Sequence, residues 1–251
     1  MLHEAIYYDD DIGIEYIASR HLHEESRELM GTRKLEEMTA EEIKELRLPD
    51  GQRLPTLDEM IPLFTGTDKT LILEMKGYNV LDILAGRLKK AFSKKELTAE
   101  QVVVVSFDHL QLARVRTVLP NVKIGAIFVH SDKPTTAVFP WIKEAKSKKI
   151  PFNKETAVKA MKELQPEYVV LPHQEISGET IYWFAKVYPS IPAMFWVFTE
   201  TPHPLTHEML DEDVLMEELK EASEKINLDG IMIDTPEKAP LYKKYLQNKP
   251  E

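Results

Sequence analysis

The segment Leu71-Ile-Leu-Glu-Met-Lys76 sets a carboxylate and an ammonium two residues apart at the end of an apolar run. Side chains alternate along a strand, so Glu74 and Lys76 share one face where that strand ends. The carboxylate could ligate a hard divalent cation and the ammonium could neutralise a phosphate. A plain ion pair at a strand end accounts for the pattern equally well. A second cluster, Arg20-His-Leu-His-Glu-Glu25, holds two histidines. Histidine changes charge near neutrality, so His21 or His23 could serve as a general acid, and His-x-His-Glu could ligate a transition metal. Pattern alone favours a solvated loop there. Trp196, within Met194-Phe-Trp-Val-Phe-Thr199, reads first as core packing. His203 and His207 lie among prolines and receive no role, and Asp211-Glu-Asp213 reads as a helix start favoured by the dipole.

The elements that must position these groups alternate between short apolar runs and helix-period segments. Strands are expected at Glu4–Tyr8, Leu71–Glu74, Val102–Ser106, Lys123–Phe128, Tyr168–Leu171, Ala193–Phe198 and Gly230–Asp234, with a further short one at Ile14–Ala18. Thr56-Leu-Asp-Glu59 is a capping box that opens one helix. Ser106-Phe-Asp-His begins another, ending at Leu119. Further helices are expected from Ser177 to about Pro189, over Leu210–Asn227 and over Pro236–Gln247, with shorter pieces at Pro140–Lys148 and Lys154–Leu164.

Composition removes several function classes. The 251 residues carry 32 Lys plus Arg against 42 Asp plus Glu, a formal charge of −10, which argues against a general nucleic-acid surface. There is no cysteine, so disulfides, thiolate catalysis and cysteine-ligated zinc are excluded and a reducing compartment fits. No apolar run reaches the ~18 residues of a membrane span and no signal peptide opens the chain. The expectation is one cytoplasmic domain over residues 1–251.

Neither GxGxxG nor GxxxxGK is present, and there are only nine glycines, so a doubly wound nucleotide fold is disfavoured. The strand ends are polar at Glu74 and Lys76, Ser106 and Asp108, His130, His173, Thr199 and Glu200, and Asp234. Polar groups from that many strands converge when a parallel sheet closes, so a (β/α)8 barrel is favoured.

At these motifs the chain resembles the glycerophosphodiester phosphodiesterase family, in order from about residue 4 to the C-terminus. The matching pieces are His21, Arg27 and Gly31, followed by Glu37-Met-Thr-Ala-Glu. Leu54-Pro-Thr-Leu-Asp-Glu, Leu73-Glu-Met-Lys and Val104-Val-Ser-Phe-Asp come next. Leu119-Pro-Asn-Val-Lys-Ile-Gly125, the Trp196 strand and Leu228-Asp-Gly-Ile-Met-Ile-Asp-Thr-Pro236 complete the series. The resemblance implies a (β/α)8 TIM-type barrel and a reaction of lipid metabolism, metal-assisted hydrolysis of a glycerophosphodiester to an alcohol and glycerol 3-phosphate. It implies Glu74 and Glu4 as ligands of a divalent cation, Ca2+ or Mg2+. Lys76 would neutralise the phosphate, His21 would protonate the leaving alcohol, and Trp196 would line the glycerol pocket.

The family's first βα unit, with its His-Arg-Gly motif, has no counterpart here, and the chain opens in what reads as mid-strand. Ile6 stands where the family's metal pair has aspartate, Leu22 stands where an aspartate follows the histidine, and His3 is near enough to substitute as a ligand. The expected barrel lacks one unit, and a homodimer would cover the exposed edge near Glu4–Tyr8 or Gly230–Asp234. The alternative function is a catalytically silent member that binds a phosphorylated ligand or a protein partner. A sphingomyelinase-type phospholipase ranks last, since those proteins usually carry disulfides.

Overall fold

The computed structural model describes residues 22–31, 38–48, 50–75, 80–128, 154–172, 179–197, 211–233 and 239–246. Among them six strands lie in one sheet in chain order: β1 (Leu71–Glu74), β2 (Val102–Ser106), β3 (Lys123–Ile127), β4 (Tyr168–Pro172), β5 (Ala193–Val197) and β6 (Leu228–Ile233). A doubly wound sheet reverses its strand order partway across; this one does not, which removes that alternative. β3 to β6 are paired in parallel. The expected strands at Glu4–Tyr8 and Ile14–Ala18 lie outside the described residues.

The described helices are α1 (Glu24–Met30), α2 (Ala40–Glu45), α3 (Leu57–Met60), α4 (Leu81–Ser93), α5 (His109–Val118), α6 (Lys154–Leu164), α7 (Glu179–Val187), α8 (Glu212–Lys225) and α9 (Ala239–Leu246). The sequence placed α6 at its observed bounds and the others it foresaw within a few residues. Part of the Arg20–Glu25 cluster corrects the loop reading: His23 is the exposed N-cap residue of α1, with Glu24 and Glu25 in the first turn. α4 was not foreseen at all. The expected helix at Pro140–Lys148 lies outside the described residues.

Packing divides the chain into two compact units, residues 1–103 with 135–149, and residues 104–134 with 150–251. In the first unit a small core of Leu22, Met30, Met38, Leu46 and Leu54 holds α1 and α2 together. The His23 N–H donates to the Arg47 carbonyl at 2.8 Å, and the Arg47 N–H donates to Ser26 Oγ at 2.7 Å. Gly31 closes α1 at φ +57°, a left-handed conformation that costs a side-chain-bearing residue and suits glycine. The Thr56 capping box forms as read: Thr56 Oγ1 accepts from the Glu59 N–H and Glu59 accepts from the Thr56 N–H. The Thr56 backbone N–H and hydroxyl, both donating to the Glu59 carboxylate, hold it below its ordinary pKa, helped by the Arg53 guanidinium. α4 buries Leu81, Ala85, Leu88 and Ala91 at helical spacing, and Arg87 on it pairs with Asp58 of α3 at 2.9 Å.

In the second unit the register aligns Ile127, Val170, Met194 and Gly230 across β3 to β6. Successive helices bury apolar stripes, such as Leu112 and Val115 of α5 and Leu215 and Leu219 of α8. Near the amino ends of β3 and β4, Arg116 of α5 donates to the Gln165 carbonyl at 2.8 Å and to Glu167 Oε2 at 2.9 Å. Glu167 Oε2 also accepts from the Ile124 N–H at 2.8 Å, so one carboxylate ties a helix to two strands.

Candidate functional site at the strand carboxyl ends

Glu74 is the last residue of β1, where its expected role places it. It is half-buried, and its Oε1 oxygen is shut off from water. Met75, next along, is 2 % exposed, so the chain leaves the strand under cover rather than in open solvent. A carboxylate oxygen shut off from water draws its stabilisation from neighbouring groups rather than from solvent. Lys76 follows just outside the described residues, and so do Glu4 and His21. Among the described residues no three His, Asp or Glu side chains converge in a way that would hold a metal ion.

In the second unit, Trp196 is in register with Pro172 of β4 and Met232 of β6, one residue before the end of β5. The strand-end residues expected at His130, His173, Thr199, Glu200 and Asp234 lie outside the described residues.

Ser106 and Asp108 are described, and the structure gives both a backbone task. Ser106 is fully buried and its Oγ accepts from the Asp108 N–H at 3.1 Å. Asp108 is the N-cap of α5, its Oδ1 accepting from the N–H groups of Leu110 and Gln111 at 3.0 Å each. Ordinary capping therefore explains this polar strand end.

His109, the next residue, received no role from the sequence. Its Nε2 lies 3.0 Å from the Ile127 carbonyl oxygen at the end of β3, and its ring meets Phe128 edge-on at 4.8 Å between centroids. Phe128 in turn packs against Phe184 of α7 at 5.1 Å. Burial lowers the His109 pKa from its ordinary 6.5, while the Ile127 carbonyl and the Asp108 charge act in the opposite sense. The only sequence signal for this histidine is its place after Ser-Phe-Asp, and that does not reveal which carbonyl it reaches.

Six described strands that follow one another in chain order, parallel from β3 to β6 and with helices between them, define the architectural class of βα folds. Within that class the fold is that of glycerophosphodiester phosphodiesterases. A phosphodiesterase of Oleispira antarctica, solved in complex with the product sn-glycerol-3-phosphate, is similar over 94% of this chain and 78% of its own, with 13% identity and a TM-score of 0.58. A glycerophosphodiester phosphodiesterase of Parabacteroides distasonis is similar over 96% of this chain and 76% of its own, with 18% identity and a TM-score of 0.52. No family model and no curated protein sequence matches the chain. No helix among the described residues is long and apolar enough to cross a membrane.

Proposed function

We propose that this chain is a phosphoric diester hydrolase that cleaves glycerophosphodiesters to an alcohol and glycerol 3-phosphate. The observation that carries the reading is Glu74: a carboxylate with one oxygen closed to water, ending a strand of a fold shared with phosphodiesterases. The order of motifs along the sequence supports it. In this reading Glu74, with Glu4, would hold a calcium or magnesium ion, which would offset the charge that builds on the phosphoryl oxygens. Lys76 supplies a second positive charge to the phosphate. Water attacks phosphorus and gives up a proton to the solvent, the bond from phosphorus to the alcohol oxygen breaks, and His21 donates its proton to that departing oxygen. Trp196 contacts the glycerol moiety, and the strands form part of a (β/α)8-type barrel in a cytoplasmic enzyme.

A second reading is favoured by Ile6, an apolar side chain where the family's metal pair has an aspartate. It makes the protein a silent relative that binds a phosphorylated ligand.

Hydrolysis of glycerophosphocholine and glycerophosphoethanolamine, measured with calcium, magnesium or a chelator, separates the two. The expected outcome is cation-dependent release of glycerol 3-phosphate, lowered about 10³-fold or more by Glu74→Ala and by His21→Ala. Parent turnover no greater than that of the two variants would leave only the silent reading standing.

A further inference from the structure

The two faces of the sheet in the second unit differ in what covers them. A small cavity beneath α7 is walled by Val169 of β4 and Ala193 of β5 together with Ile181, Phe184 and Ala185 of α7. α7 therefore covers the face that Val169 and Ala193 share. Side chains alternate along a strand, so Leu171 and Phe195, both fully buried, belong to that face too. Residues of the other parity lie on the face turned away from α7. There the parallel register sets Pro172 of β4, Trp196 of β5 and Met232 of β6 side by side, each at or one residue from the carboxyl end of its strand.

Toward the amino ends the same face is filled. Val170 and Met194 are buried, and a Cβ built at Gly230 would stand 3.1 Å from Met194 Cγ, so the glycine leaves the room that Met194 takes. One layer further on, Met232 is only half-buried. All three residues of this layer are apolar. A single aromatic residue falls short of the cage that quaternary ammonium groups occupy, whereas hydrocarbon gains from an apolar neighbour on each of three adjacent strands. Methionine suits such a surface because its unbranched side chain adapts to the shape laid against it.

We propose that Met232 is a specificity-determining residue and that, with Pro172 and Trp196, it forms a subsite for hydrocarbon, so that the preferred glycerophosphodiester carries an alkyl or acyl chain near its phosphate. This deepens the proposed function and rests on it for turnover. Each methylene taken out of water against the layer strengthens binding about fourfold.

The chain sits either on the departing alcohol or on the glycerol, and two series of substrates separate these. One is the glycerophosphodiesters of ethanol, butanol and hexanol; the other is glycerophosphocholine with its butanoyl and hexanoyl esters on glycerol. The expected result is a kcat/KM that climbs about fourfold per methylene in one series, which identifies the carrier of the chain. Met232→Gln, similar in shape but polar, flattens the climb, while Met232→Leu keeps it. Val187→Gln, at a position 43 % exposed at the end of α7, also keeps it and controls for general surface greasiness. Both series flat while glycerophosphocholine is turned over, or a climb that Met232→Gln leaves intact, overturns the inference and leaves the proposed function standing. Absence of turnover with every diester counts against that function, and binding then decides the subsite. Butyl, hexyl and octyl phosphate are compared by the rise in melting temperature each produces. A rise that grows with chain length in the parent and not in Met232→Gln supports the subsite; a rise independent of length, or the same growth in both proteins, overturns it.

Discussion

Gly125 lies inside β3 opposite Tyr168, and a Cβ built there would stand 2.9 Å from Val105 Cγ1 and 3.2 Å from Val170 Cγ2. Valine is stiff at χ1, so neither neighbour can turn away cheaply. Gly125→Ala is expected to destabilise the protein by about 1–3 kcal/mol, read as a lower urea midpoint at unchanged slope. Gly86 in α4 is the control: nothing lies within 4 Å of the place a methyl would take there, so Gly86→Ala should stabilise by about 0.4–1 kcal/mol. Equal effects at the two sites would contradict this packing argument. The same contrast explains what the sequence revealed of the candidate site. Glu74 could be put forward as a candidate because residue type and its two-residue spacing from Lys76 are written in the chain. His109 could not, because its burial and its contact with Ile127, eighteen residues on, come from tertiary packing.

At the scale of elements, the six described strands were legible as apolar runs, with ends shifted by no more than two residues. Helices were legible where a side chain announced the start, as Thr56 does for α3 and Asp211 for α8. The N-cap of α4 is Val80, which offers no side-chain cap, so the start of that helix went unread although its buried stripe has helical spacing. α1, at seven residues with no side-chain cap, is too short for periodicity to separate it from a polar loop, whereas α2 does open on a capping box, Thr39 with Glu42, that was not read as a helix start. Asp108 tests how much such caps matter. Asp108→Ala removes two acceptor contacts at the start of α5 and should cost about 1 kcal/mol, whereas Asp108→Asn, which keeps an oxygen in place, should cost much less. Denaturant midpoints for the pair decide it; equal losses would mean that the charge, rather than the cap bonds, supports the helix.

At the scale of the whole molecule, strand order was not written in any local segment, since pairing partners are chosen by packing; the missing glycine-rich turn and the polar strand ends pointed away from a doubly wound sheet. Net charge was written plainly, and it complicates the test of the proposed metal. A chain of net charge −10 draws cations to its surface without any site, so a melting temperature that rises with calcium or magnesium is ambiguous by itself. Two controls separate the causes. Diffuse attraction is screened, and sodium chloride at matched ionic strength reproduces it. Binding at a site adds stability by mass action, about 2.7 kcal/mol at a cation concentration one hundred times Kd, and depends on the ligands. Glu74→Gln removes one charge of the forty-two acidic ones and hardly alters the diffuse term, but it removes the proposed ligand. The expected outcome is that millimolar calcium or magnesium raises the parent's melting temperature beyond the sodium chloride control, and that Glu74→Gln loses this excess. An excess retained in Glu74→Gln would place the cation elsewhere on the protein and take Glu74 out of the proposed metal site.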